Sequence, residues 1–378
     1  MNSKKFILTG FIIALCGVLL AYITCLPDKP SEEVFSGQTS QADDKVSVRL
    51  LAVGDNLIHS PIYESCRTED GFSCDGLYEN IKGYIKDADI AAINQETIFV
   101  ENESRLSGYP TFGSPTEIGE STRRAGFNVV THATNHTIDK GADSIIYTMD
   151  FWDRYDDVTV LGINRSEEAR QSVEVWEKDG LKIAMLNFTY GLNGMRLPAD
   201  KPYLVNLFER SEDNASLIKK AEDSADVTVV FIHFGTEYTH TPTKEQKRDV
   251  EFLCENGVDV VIGTHPHVVQ PMTRHISENG NEALVFYSLG NFISNQDNTS
   301  KILGAMADVT ITKENGTVTI ENYGMHPLVT HKENSKFSVY MLRDYTNELA
   351  RKNSRVPGLT QEKLKSLYND IINIEVYK

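Results

Sequence analysis

Val258-Asp-Val-Val-Ile-Gly-Thr-His-Pro-His267 is a β-branched run that ends in two histidines flanking a proline. Val258 to Ile262 reads as a strand, and its near-continuous apolar character suggests cover on both faces. Proline biases the preceding residue to extended backbone, and residues two apart in an extended segment share a side. The reading therefore expects His265 and His267 to face one cavity, where two metal ions about 3.5 to 4 Å apart each take one imidazole.

The same arrangement recurs elsewhere in the chain. Val46 to Val53, Ile90 to Ile93, Asn128 to Thr131, Val227 to Phe231 and Leu284 to Tyr287 are further expected strands. They lead into Gly54-Asp55, Asn94-Gln95-Glu96, Thr134-Asn135-His136, His233-Phe234-Gly235 and Gly290-Asn291. Amphipathic stretches at Leu77 to Lys86, Glu117 to Ala125, Asp143 to Tyr155, Asp213 to Ser224 and Lys244 to Glu255 read as intervening helices. Thr241 or Thr243 caps the last, and Gly257 stops it. Alternation of strand and helix implies an α/β layered sheet, whose site lies beyond the carboxyl ends of the strands.

Taken singly, these residues have plainer explanations. Asp55 suits a turn, Glu96 and Asn135 suit helix caps, and His233 suits a core histidine. Their joint occurrence at strand ends is what points to a site. Asp55, Glu96, Asn135, His233, His265 and His267 offer carboxylate, amide and imidazole donors without a thiolate, a set that suits manganese, iron(II) or zinc. Two such ions activate a water and stabilise charge on a phosphoryl oxygen. His136, beside Asn135, is the candidate proton donor to a leaving group, and Asp139 either orients its ring or caps a helix.

With 54 acidic against 37 basic side chains, the net charge of −17 argues against nucleic-acid binding and requires any anionic substrate to be attracted locally. Five cysteines are too few for a disulfide scaffold. Cys66 and Cys74 flank a polar segment and form either one bridge or two free loop thiols, while Cys254 lies on an apolar helix stripe.

Lys4 and Lys5 precede an uncharged run from Phe6 to Leu26 that spans about 31 Å as a helix, enough to cross a bilayer. The lysines place the N-terminus inside and the domain outside. Without a small-residue cleavage site, the run is expected to remain as an anchor, and the residues before Cys25 are bulky for a lipoprotein signal. The expected organisation is an anchor over 1–26, a flexible linker over 27–45, one domain over 46–345 and a C-terminal helical extension over 346–378. Within it, Ala307 to Tyr323 reads as a hairpin turning at Asn315-Gly316, and Gln361 to Val376 as a closing helix.

These motifs, with Asp139 and Gly141, Thr236-Glu237 and Ser288-Leu289 completing them, resemble the CapA family of bacterial capsule and poly-gamma-glutamate synthesis proteins over roughly Val48 to Asn295. The resemblance implies a layered α/β/β/α sandwich of the metallo-dependent phosphatase type, two divalent metal ions and a place in a membrane machine with an ATP-dependent ligase and small membrane subunits. It does not fix a reaction. Related phosphoesterases open with Asp-x-His, whereas Leu57 stands two residues after Asp55, and His59 either substitutes as a ligand or starts the next turn. The family's Asn-Leu-Glu is Asn94-Gln95-Glu96 here, and its paired asparagines are Thr134-Asn135.

Three functions follow from this reading. One is a membrane-anchored, extracytoplasmic component of capsule or poly-gamma-glutamate production, acting as a metal-dependent hydrolase on an anionic polymer or phosphoester. Another is a non-catalytic subunit that organises the membrane complex. The third is a surface metallophosphoesterase unrelated to capsule, which would want a neighbouring nucleotide pocket; the loop Phe188 to Tyr203 does not exclude one and reads equally as a substrate lid or an ordinary connection.

Overall fold

The computed structural model describes residues 45–376. The anchor read over 1–26, and the linker read over 27–45 apart from Lys45, lie outside the described residues. Among the described residues no helix is long and apolar enough to cross a membrane.

The strands form two large sheets. In the first, the order is Lys336–Met341, Thr317–Glu333, Leu303–Glu314, Lys45–Asn56, Ile90–Asn94, Val129–Thr131 and Thr159–Leu161, with Asn291–Ile293 paired beside Lys45–Asn56. In the second it is Val269–Ile276, Glu282–Leu289, Val260–Thr264, Val227–His233, Leu181–Thr189 and Glu174–Lys178. From Lys45–Asn56 to Thr159–Leu161 the pairings of the first sheet are parallel, as are those from Glu282–Leu289 to Leu181–Thr189 in the second. Parallel pairing puts carboxyl ends side by side, so each sheet presents a row of strand ends.

Alternation along the strands sets the layers. Val48, Leu50 and Ala52 pack in one buried cluster with Met185, Val229, Phe231, Val260 and Ile262 of the second sheet. Leu51 and Val53, pointing the other way, join Ile118, Phe151 and Trp152 from the helices Glu117–Ala125 and Ala142–Trp152. Beyond the second sheet, Leu186, Val230 and Val261 pack with Leu217 and Ile218 of Glu212–Ser224 and Leu253 and Cys254 of Lys244–Glu255. The layer order is therefore helix, sheet, sheet, helix. Each fully buried Val, Leu or Ile contributes about 1.5 to 3 kcal/mol, against about 0 to 1 kcal/mol for an exposed ion pair. The apolar interfaces, and not the many surface ion pairs, hold the sandwich together.

Several local expectations hold. Glu117–Ala125 and Lys244–Glu255 are helices with the expected bounds, and the latter carries a Thr243 capping box completed by Gln246. Asn315 and Gly316, with φ of 52° and 77°, make the hairpin turn, although the return strand runs on to Glu333. The closing helix is Gln361–Ile372, anchored by Leu364, Ile371 and Tyr368, whose hydroxyl donates to the Met325 carbonyl at 2.6 Å.

Others fail for a physical reason. The helix expected over Leu77 to Lys86 is a 3-10 turn, Asp75–Leu77, and one short turn of helix, Lys82–Ile85. Tyr78 interrupts it by turning into the core, where its hydroxyl donates to Asn56 Oδ1 at 3.0 Å. Leu181–Thr189 is a strand that the sequence pattern hides, since Lys182 and Asn187 break its apolar run, yet Asn187 is buried and hydrogen-bonded to the Ala133 amide and the Phe231 carbonyl. Cys66 and Cys74 are buried free thiols in the same apolar cluster.

Candidate metal centre

The strand ends of the two sheets meet over one buried cluster. Asp55 ends the apolar strand Lys45–Asn56, with its amide donating to the Gly290 carbonyl at 2.9 Å. A Cβ on Gly54 would sit 1.9 Å from that same oxygen, so only glycine allows this approach of backbones. Glu96 follows Ile90–Asn94, and its carbonyl accepts from Thr134 Oγ1 at 2.9 Å. Thr134 thus ties the Glu96 loop to the loop that carries Asn135 and His136. His233 closes Val227–His233, and His265 and His267 follow Val260–Thr264.

Both histidines of the proline-flanked pair reach the cluster, but not from extended backbone. His265 has φ of 98° and His267 of 57°, in the left-handed region that side chains rarely adopt. Proline's bias is overridden by contacts on three sides. The His265 amide points at both Asp55 carboxylate oxygens at 3.3 Å, the Pro266 carbonyl accepts from the Tyr238 amide at 2.8 Å, and the His267 carbonyl accepts from Asn291 Nδ2 at 3.1 Å. Such a conformation persists where surroundings over-determine it.

Glu96 lies at the centre. Its Oε1 is 3.8 Å from His233 Nε2 and 3.7 Å from His267 Nε2. On one side His267 Nδ1 is 3.0 Å from Asp55 Oδ2 and 3.1 Å from Asn291 Oδ1. On the other, His233 Nε2 is 2.9 Å from Asn135 Oδ1, and the His233 and His265 rings are 4.9 Å apart. The six candidate ligands expected from the sequence, Asp55, Glu96, Asn135, His233, His265 and His267, are all buried and brought together.

Whether this donor set fits divalent ions can be judged from its orphans. Both Glu96 carboxylate oxygens and His265 Nδ1 are buried with no hydrogen-bond partner. A buried carboxylate whose oxygens accept no hydrogen bond is costly, so native structures rarely keep one without a further polar partner or a bound cation. Asp55, Glu96 and His267 bring donor atoms within 4.8 Å of one another, as a shared cation requires. The residues fit.

Electrostatics describe the same cluster without ions. Burial pushes the Glu96 carboxyl well up, the His267 charge opposing and the Asp55 charge adding to it. Burial would lower His267, but the charges of Glu96 and Asp55 and the hydrogen bond to Asp55 outweigh it and hold the ring up at about 9. Burial, then repulsion from His267 and His136, lowers His265 to about 3, and His233 falls well below its usual value for the same causes with His265 added. Neutral imidazole is the form that ligates a metal.

His136 lies beside the cluster with Nδ1 2.7 Å from Asp139 Oδ2, and the Phe112 ring stands edge-on at 4.7 Å. Asp139 also accepts from the Phe112 amide at 2.6 Å. Of the two alternatives for Asp139, contact with the His136 ring is what the structure contains. His59 Nδ1 lies 3.1 Å from the Leu57 carbonyl, and burial, with repulsion from His267 and His136 added, lowers the ring to about 4. His326 and His331 are elsewhere, against Asp308 and Tyr345.

Glu237, which the sequence reading names within the family motif but gives no role, has a carboxylate that shares a second close group with His265 and His267. It is exposed, and a surface glutamate after a glycine turn gives no periodic signal. Tyr190, its ring tilted against His265 with centroids 4.7 Å apart, and Asn193, accepting from Asn135 Nδ2 at 3.1 Å, flank the same residues from the loop after Leu181–Thr189.

Comparison with known proteins sets this cluster in context. The family model described as bacterial capsule synthesis protein PGA_cap matches residues 49–296. The PGA biosynthesis protein CapA of Bacillus subtilis (strain 168) is 27% identical over 246 residues, 64% of this chain and 63% of that protein. The capsule biosynthesis protein CapA of Bacillus anthracis is 25% identical over 280 residues, 72% of this chain and 66% of that protein. The chain thus spans just under two thirds of the length of these curated relatives. Among solved structures, a phosphatase from Mycoplasma pneumoniae superposes with a TM-score of 0.46 at 16% identity, covering 75% of this chain and 94% of that one. The family match takes in each strand end that supplies a residue to the cluster, and the chain belongs to the bacterial capsule synthesis protein family PGA_cap.

Proposed function

We propose that this chain acts outside the membrane, held by the helix read over residues 1–26, in the production or release of a capsular polymer of the poly-gamma-glutamate type, as a two-metal hydrolase. The observation that carries the reading is the buried Glu96 carboxylate between His233 and His267, whose oxygens accept no hydrogen bond. Asp55, Glu96 and His267 would hold one ion, and Asn135, His233 and His265, with Glu96 between the two groups, a second. Two divalent ions supply an acidified water and positive charge opposite a developing oxyanion.

What the chain's own residues do follows from their contacts. Asp139 accepts the His136 Nδ1 proton and fixes the ring, leaving Nε2 as the position from which a proton passes to a leaving oxygen or nitrogen. Phe112 packs on that ring and limits its rotation. Tyr190 and Asn193 hold the flank at His265 and Asn135, where a substrate enters.

Membrane-bound synthase subunits are the partners of this reading, and an anionic polymer its substrate. It is tested in a producing cell by replacing the chromosomal copy with the His265→Ala, His267→Ala double variant. Loss of polymer at the surface, or of its release, is expected at unchanged protein level. Undiminished production and release would overturn the proposal.

A further inference from the structure

We infer that Glu237 is a metal ligand, adding a carboxylate beside His265 to the ion position that Asn135, His233 and His265 would hold, next to His267 of the first position. This rests on the two-metal reading of the site and extends its donor set by one carboxylate that the strand-end pattern does not reveal.

The turn that carries Glu237 is built onto the histidine loop. The Phe234 amide donates to the Thr264 carbonyl at 3.0 Å, and the Tyr238 amide to the Pro266 carbonyl at 2.8 Å. Glu237 is thereby held between two backbone bonds to the segment that presents His265 and His267. Gly235, with φ of 108°, makes the bend, and a Cβ there would lie 2.6 Å from the Gln246 side chain. Gln246 is itself pinned to Gln270 at 2.8 Å and to the Thr243 amide at 3.0 Å. Tyr238 takes φ of 64°, a second left-handed residue within this turn. The result places a Glu237 oxygen within 4.8 Å of donor nitrogens on both histidines.

A second observation points to a ligand at this place. His265 is buried and its Nδ1 has no partner, so the ring adjoining Glu237 carries an unsatisfied nitrogen. Two residues after Asp55 stands the apolar Leu57, and Glu237 adds a donor that this position lacks.

Charge follows from the same count. Asp55, Glu96 and Glu237 bring three negative charges against four from two divalent ions, leaving one positive charge with the imidazoles neutral.

The test is titration of metal-free full-length protein, in detergent, with Mn2+ and separately with Zn2+, followed by calorimetry and by elemental analysis after gel filtration. Wild type is expected to take two equivalents. Glu237→Ala should lose one equivalent or bind it at least about 10-fold more weakly, and Glu237→Asp should recover part of the loss. Because Glu237 is exposed, these variants should fold, which an unchanged melting temperature without metal checks. Two equivalents in Glu237→Ala with wild-type affinities would overturn the Glu237 assignment and leave the two-metal reading intact. No uptake of either ion by wild type would remove the two-metal reading itself, and this inference with it.

Discussion

His136 Nδ1 and Asp139 Oδ2 stand 2.7 Å apart, both side chains buried, and the same carboxylate accepts the Phe112 amide. Asp139 therefore sets the tautomer and the angle of the imidazole beside the Glu96 cluster, as a group acting through another. With manganese-loaded protein and an aryl phosphodiester as probe, Asp139→Asn should lower kcat by about 100-fold or more with little change in KM. Asp139→Glu, which keeps a carboxylate for the ring, should recover part of the loss. A loss of activity that only tracks a lowered melting temperature would make Asp139 a folding residue.

Metal uptake should depend steeply on pH. Without ions, His267 is held protonated up to about 9 and the Glu96 carboxyl is pushed well up. Ligation requires both deprotonated, so ions and protons compete and affinity rises as pH increases towards 9, by about 10-fold per unit for each proton displaced. Calorimetry at pH 7 in buffers of different ionisation heat should register proton release. An affinity flat from pH 6 to 9 would contradict this.

Acid should weaken the fold through a histidine outside the site. His132 is fully buried, accepts from Trp152 Nε1 at 2.8 Å, and burial lowers it to about 3. The unfolded chain takes up its proton near 6.5 and the folded one does not. Stability is thus intact above 6.5 and is lost as pH falls towards 3, by up to about 1.4 kcal/mol per pH unit from this group. Urea unfolding of metal-free protein between pH 7 and 5 should show the slope, and His132→Gln should flatten it.

Behind the ligands runs a buried amide pair, Asn56 Nδ2 to Gln95 Oε1 at 2.6 Å, with the Tyr78 hydroxyl donating to Asn56 Oδ1. Gln95→Leu leaves Asn56 unsatisfied next to Asp55 and should cost about 1 to 3 kcal/mol, read from denaturant midpoints. Asn56→Leu added to it should cost less than the two single changes summed.

The place of these side chains at strand ends was legible because parallel strands with apolar runs must end somewhere, and polar residues there have few alternatives. Asp55, Glu96, Asn135, His233, His265 and His267 were found in that way. What was not legible depends on long-range contact. The left-handed His265 and His267 are set by Asp55, Asn291 and Tyr238, all distant in sequence or across a turn, against the local preference that proline imposes. Glu237 is exposed and aperiodic, and only the clamp of Tyr238 on Pro266 brings it to the histidines. Tyr78 broke an expected helix because its hydroxyl serves Asn56. The hidden strand Leu181–Thr189 carries a polar Asn187 whose partners lie on neighbouring strands and loops.

The account stands or falls on whether the Glu96 cluster holds metal. Elemental analysis of purified protein, beside its His265→Ala, His267→Ala variant, measures this most directly. Two equivalents of manganese, iron or zinc in the wild type and none in the variant is the predicted result. No bound metal in the wild type, even after reconstitution with each ion, would contradict it.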